Sequence, residues 1–430
     1  MSENPPPQFG AELRRRRHAL DISLAELARR LHYSKSYLSK IENGLKEPSV
    51  DLARRCDAIV EAGGELAAIV VPREVESVQT PEVGLDDVLV MRLDASGRGE
   101  FGAVERRKLL LAAGTATLAS WVVAPTPAPR RHESETLVSF RRMFDEVRAL
   151  GQSIPAAMLL PTVVSQTHML RVFAADAPPS IRNRTFVLAA RFAEYAGWMA
   201  QEAGSEDGAL RWTEYAVQLA AHGGDEELAA YALVRRALIA MYRDDAMATV
   251  ELAQGAQASH FRPRLRGLAA QREAQGHAIA GDYNACRRSL DRAAKLLQAA
   301  AADDEQPVLG TSTIDDPVAM VTGWCLYDLG RADEAAQIIQ RELARMPAGA
   351  RRARARFAAR RALALAGAGE VEQACVEVRP VLEALSYVDS ATVRVELRHF
   401  ARQLNRWHSL TPVRELMPQL NAALRTTIAA

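Results

Sequence analysis

The sequence predicts an all-α chain in two parts: a compact five-helix unit near the N-terminus, then a linker and a long array of antiparallel helix pairs. Three observations carry this. Two short capped helix signatures stand in tandem between Ser23 and Gly44. Nearly everything after Thr136 places its apolar residues at helical spacing. A turn flanked by small residues recurs there, with spacings of 39, 38, 49 and 39 residues.

The elements follow in order. Residues 1–8 are polar and Pro-rich and are expected to form a disordered tail without a secretory leader. The first helix carries the basic run Arg14 to Arg17, with Leu13 and Leu20 on its inner side. Ser23 can N-cap a second helix, Glu26 completes a capping box, and Leu24, Leu27, Ala28 and Leu31 repeat at helical spacing. His32 and Tyr33 interrupt. Ser34 can cap a third helix built on Tyr37, Leu38 and Ile41, and Gly44 and Pro48 stop it. Helical signals run on from Ser49 to Val60, pause at Gly63-Gly64 and resume from Glu65 to Val70, which closes a unit over 9–71. Helices joined by so short a turn must cross steeply, which leaves the outer face of the second free to enter a groove.

That outer face presents Lys35, Ser36, Ser39 and Lys40. Lysine can donate to guanine O6 and N7, and serine to base edges or phosphates. The helix N-termini at Ser23 and Ser34 add anion sites. From residue 8 to 46 there are nine Lys and Arg against four Asp and Glu, a net of +5, whereas the whole chain carries only +1. Positive charge is therefore concentrated on the motif. The segment from Phe9 to about Val70 resembles the XRE family of DNA-binding domains, related to phage lambda repressor and Cro. The matching text is Leu27-Ala28, Ser34 to Ser39, Glu42-Asn43-Gly44 and Pro48-Ser49. The resemblance implies double-stranded DNA as partner, base reading at Lys35, Ser36, Ser39 and Lys40, and a structural pair between Arg17 and Glu42. Ser23, Ser34, Arg14, Asn43 and Lys46 complete the candidate DNA contacts. Two positions depart from the family: Leu24 stands where Gln is frequent, and His32 where Gly is frequent. The plainer reading is an ordinary short-helix pair of a helical protein.

Residues 72–134 read as a linker, acidic and Gly-containing from Val75 to Gly102. It ends in an apolar run, 109–124, behind Arg106-Arg107-Lys108. Its sixteen residues fall short of the roughly 20 that span a bilayer. An export-like signal, a membrane anchor and a helix docked on the second part are all open; the docked helix is preferred. The four cysteines are far apart and fit buried thiols in a reducing cytoplasm.

In the second part, over 135–430, the anchors and the small residues five positions on are Gly204/Ala209, Arg243/Ala248, Gly281/Cys286, Gly330/Ala335 and Gly369/Ala374. The segments after Gly281, Gly330 and Gly369 resemble the turn and second helix of a tetratricopeptide repeat, though with a longer period. The resemblance implies an α-solenoid with a concave binding surface, which would take a peptide, a protein, a small molecule or a sister subunit. Helices at Thr392–Trp407 and Pro412–Leu424 read as its cap, with Thr411 as N-cap of the last.

No catalytic motif is present, the nine histidines do not cluster, and no cofactor or metal is implied. Tyr195, Trp198, Trp212 and Tyr215 could line a pocket, but their spacing favours inter-helix core. The expectation is a cytoplasmic, homodimeric transcriptional regulator rather than an enzyme. The alternatives are a protein-interaction adaptor with secondary DNA contact and a membrane-tethered regulator anchored by 109–124.

Overall fold

The computed structural model describes residues 9–70, 87–93, 99–105, 133–300, 309–310 and 313–425. Four α-helices come first: α1 (Phe9–Ala19), α2 (Leu24–Leu31), α3 (Lys35–Glu42) and α4 (Val50–Ile59). Three of them start on a serine whose hydroxyl accepts a backbone N–H: Ser23 from Glu26 at 3.0 Å, Ser34 from Tyr37 at 3.1 Å and Ser49 from Leu52 at 3.2 Å. The capping box at Ser23 is half formed. Glu26 turns its carboxylate to Arg29 and Arg30 instead, at 2.6 and 2.7 Å. Leu13, Leu27, Leu31, Leu38 and Leu52 are completely buried between the helices. Each such side chain contributes about 1.5–3 kcal/mol.

The fifth helix expected from Glu65 to Val70 is reduced to a single 3₁₀ turn, Ala67–Ile69. Asp57 is the cause. Its carboxylate accepts the N–H groups of Gly64, Leu66 and Ala67 at 2.8, 2.9 and 2.9 Å, which folds the segment back on α4. The linker also differs from expectation. Strands β1 (Asp87–Leu93) and β2 (Gly99–Glu105) pair antiparallel, Asp87 opposite Glu105 and Leu93 opposite Gly99. The run DVLVMRL has the β-branched, apolar character of a strand, and the glycines and acids around it masked that signal. The apolar run 109–124 lies outside the described residues. Among those described, no helix is long and apolar enough to cross a membrane.

The rest is helical. Helices α5 (Glu133–Leu150) and α6 (Ala156–Asp176) both pack on α7 (Pro179–Glu202), which pairs with α8 (Glu206–Gly223), and α9 (Glu226–Tyr242) pairs with α10 (Ala246–Gly255). Then come α11 (Pro263–Ala280) with α12 (Tyr283–Ala300), and α13 (Pro317–Asp328) with α14 (Ala332–Arg345). The last are α15 (Arg351–Ala368) with α16 (Val371–Val388), and α17 (Ala391–Leu404) with α18 (Thr411–Arg425). Thr411 is the first residue of α18 rather than its cap. The turn anchors fall where the first helix of a pair ends. Gly204, Gly281, Gly330 and Gly369 have φ of 88°, 82°, 80° and 90°, the left-handed conformation that closes a helix C-terminus. At the remaining anchor Asp244, after Arg243, takes that role with φ 59°. Ala209, Cys286, Ala335 and Ala374 are buried where the second helix crosses the first. All four cysteines are free and buried.

The array closes on itself. Glu202, at the end of α7, is 1% exposed and receives Arg352 of α15 at 3.2 Å and Thr392 of α17 at 2.9 Å, together with Ser390. Arg352 also donates to the carbonyls of Gly151 and Ile154 in the α5–α6 turn, at 2.8 and 2.5 Å. The α5–α6 turn therefore meets α15, and the end of α7 meets α17, while α5, α7, α9, α11, α13 and α15 line the centre.

Candidate nucleic-acid interface

The steep α2–α3 turn depends on His32. It caps α2 in the left-handed conformation, φ 54°, ψ 43°, and its N–H returns to Ala28 O. A non-glycine residue there costs about 1–2 kcal/mol. The turn sets α3 on the surface with Leu38 and Ile41 buried and Lys35, Ser36 and Lys40 exposed; Ser39 is half-buried.

Most of the local positive charge is already neutralised. Arg15 and Arg16 bind Glu12 at 2.5 and 2.6 Å. The two guanidinium groups hold the Glu12 carboxyl at about 2, well below its ordinary value. Arg29 and Arg30 do the same to Glu26. Arg17 is buried and grips Glu42 with two hydrogen bonds of 2.7 and 3.0 Å, and it donates to Ile22 O at 2.9 Å. This fork fixes α1 against the end of α3. Arg14 joins the same carboxylate at 3.3 Å and reaches Asn43 Oδ1 at 2.5 Å. Arg14 and Asn43 are thus engaged with each other at the far end of α3. What remains without an ion pair, among the described residues from 9 to 46, is Lys35, Lys40 and Lys46. All three lie on α3 or just beyond it. Lys46 folds its ammonium over the Tyr37 ring at 4.5 Å. Ser23 and Ser34 each accept a backbone N–H, so their hydroxyl protons stay available to a phosphate.

The opposite side of this unit is seated on the array through three of the left-handed glycine turns. A Cβ on Gly330 would stand 2.6 Å from Arg54 O and 2.8 Å from Arg55 Cα. Gly281 lies as tightly against Ala67, and Gly369 against the His32 ring. Around them, His32 Nε2 bonds Ala368 O at 3.0 Å, and Asp51 accepts from Gln403 at 2.9 Å and Tyr327 at 3.4 Å. Arg54 donates to Ile279 O and stands 4.0 Å from Asp328. A cation–aromatic stack then runs from α3 to the array. Tyr37 and Tyr33 stack at 5.1 Å, and Arg406 of the array covers Tyr33 at 4.7 Å. His32, Asp51, Arg54 and Arg406 were not foreseen as functional positions. The one signal for them was His32, standing where a glycine is frequent in the XRE pattern.

Desolvation pushes the His32 pKa down, reinforced by Arg55 and Arg406 and opposed by the Ala368 carbonyl and Asp333. A depressed histidine stabilises the seated form above the ordinary value of about 6.5, and the contribution is lost as pH falls through it. Hydrogen exchange of α4 amides, measured in a pH series and corrected for intrinsic rates, is expected to speed up below about pH 6.5; a His32→Asn variant should flatten that dependence.

A family model described as a helix-turn-helix domain matches residues 8–69. Residues 8–69 are a helix-turn-helix DNA-binding domain. No curated protein and no solved structure matches the chain. The helix-turn-helix domain thus has a free, cationic α3 on one side and the closed helical array on the other.

Proposed function

We propose that the chain is a sequence-specific transcriptional regulator of the XRE type, whose tetratricopeptide-like array pairs with a second copy and receives a signal. The observation that carries this reading is the placement of the unpaired cations. Every arginine between residues 14 and 30 has a carboxylate partner, whereas Lys35, Lys40 and Lys46 have none among the described residues; Lys35 and Lys40 sit with Ser36 and Ser39 on α3, and Lys46 follows just beyond it. Lys35, Ser36, Ser39 and Lys40 are assigned to the major groove; Ser23, Ser34 and Lys46 to flanking phosphates. One such domain reads few base pairs, so two recognition helices about 34 Å apart are needed for useful affinity. The array supplies the second contact surface for that dimer.

The test is selection of binding sites from a random duplex pool, followed by gel shifts across a salt series. Lys35→Ala and Lys40→Ala are each expected to cost about 1–3 kcal/mol with relaxed discrimination where they read a base. Where they touch phosphate, binding weakens uniformly and the salt slope drops by about 1. Failure of the pool to enrich any sequence at moderate salt contradicts the proposal.

A further inference from the structure

The closed array encloses a cavity of about 410 Å³, within the range of about 300–1,000 Å³ typical of small-molecule sites. Its wall is unusual in charge. Arg148, Arg191, Arg235, Arg272, Arg352 and Arg356 line it, against Asp145, Glu194 and Glu202. Two of the acids are taken, Glu194 by Arg235 at 3.3 Å and Glu202 by Arg352 at 3.2 Å, and Asp145 lies at the exposed rim. Arg272 and Arg356 therefore face the space without a carboxylate among the described residues. The hydrogen bond Arg272 makes runs to Met241 Sδ at 4.0 Å. Desolvation, together with the charge of Arg356, pulls the Arg272 pKa down to about 10. Arg356 lies over Phe357 at 4.7 Å, and its Nε has no hydrogen-bond partner.

Two further groups point to a missing guest. Gln271 and Gln275 line the same wall, one turn apart on α11, and are only 2% and 3% exposed. Yet Gln271 Nε2 and Gln275 Oε1 make no hydrogen bond. Buried polar groups are nearly always satisfied, and a buried unneutralised charge is more costly still. Aromatic rings, Trp198 and Trp324 among them, and aliphatic side chains such as Leu238 and Val321 supply most of the rest of the wall. Tyr195, Trp198, Trp212 and Tyr215 all belong to the inter-helix core or pack against it, and Tyr195 and Trp198 also line the cavity.

We propose that this cavity binds an amphiphilic organic anion: a carboxylate, sulfonate or phosphate head held by Arg272 and Arg356, with Gln271 and Gln275 completing its hydrogen bonds. A flat apolar body would lie against the tryptophans. The proposal rests on the array being the signal-receiving part of the regulator and names the chemistry of the signal. Three of the inward helices, α11, α13 and α15, end at Gly281, Gly330 and Gly369, the turns on which the helix-turn-helix domain is seated. A guest that draws Arg272 and Arg356 together acts on helices that end at that seat.

The experiment titrates the full chain with anilinonaphthalene sulfonate, an aryl anion of this kind, following probe emission and tryptophan quenching. One saturable site is expected, displaced by naphthoate and not by neutral naphthamide. Arg272→Met and Arg356→Met should each weaken the probe by about 10–100-fold. The ligand-free variants should melt no lower than wild type, because an uncompensated charge has been removed. Non-saturable binding, equal displacement by the amide, unchanged affinity in both variants, or a lower melting temperature in both overturns the proposal. DNA affinity is not the readout, so this result and the gel-shift result stand or fall separately.

Discussion

Replacing Arg352 with methionine is expected to lower the unfolding free energy by about 3–5 kcal/mol, the effect of removing one partner from a buried pair. The size follows from what is stranded. Glu202 would stay buried with only Ser390 and Thr392 for company, and the carbonyls of Gly151 and Ile154 would lose their donor. Arg352 is the bolt between α5, α7, α15 and α17, so its loss should also open the array. Equilibrium unfolding in urea measures the first effect and the radius of gyration from X-ray scattering the second. Glu202→Gln should behave similarly but more mildly, because the amide keeps a hydrogen-bonding oxygen. If Arg352→Met unfolds at the wild-type midpoint, the closure is held elsewhere.

Gly330→Val is the second large effect. At φ 80° valine adopts a strained conformation, and its Cβ would enter the backbone of α4 at Arg54 and Arg55. The strain costs about 1–2 kcal/mol, and the clash removes the seat of the helix-turn-helix domain. Gly224→Val separates the two contributions. Gly224 has φ 71° with nothing within 4 Å of its Cβ position, so it carries the strain alone. The expected result is that both variants lose local stability, while only Gly330→Val expands in scattering and loses protection in α4. Equal expansion of the two would show that the glycine turn is a backbone requirement and not a seat.

Much of the fold was legible because it is local. Serine hydroxyls cap α2, α3 and α4 within three residues of themselves, and the glycines at 204, 281, 330 and 369 announce helix ends by their conformation alone. Long-range features left no such trace. Glu202 and Ser390 are 188 residues apart, and nothing in their neighbourhoods marks them as partners. The fifth helix shrank because the Asp57 side chain competed for its backbone donors, and the 87–105 hairpin was hidden by the acids and glycines of its surroundings. At the proposed DNA face, residue types and spacing marked out the α3 helix, but the +5 charge overstated the field: six of its nine cations are held by Glu12, Glu26 and Glu42. His32 is the instructive case. As a departure from the family pattern it weakened the resemblance. In the structure its ring fills the space over Gly369 and bonds Ala368 O. A glycine at 32 would relieve the turn and forfeit the seat.

The face that carries three unpaired lysines is also the face left open when the domain is seated. The chain has only five lysines, Lys35, Lys40, Lys46, Lys108 and Lys295. Acetylation footprinting with mass-spectrometric readout therefore tests the central claim with an internal control. Duplex DNA enriched from the random pool is expected to protect Lys35 and Lys40 strongly and Lys46 partly, while exposed Lys295 on α12 reacts at its free rate. Unchanged reactivity at Lys35 and Lys40 in the bound complex, or protection of Lys295 in their place, would contradict the account.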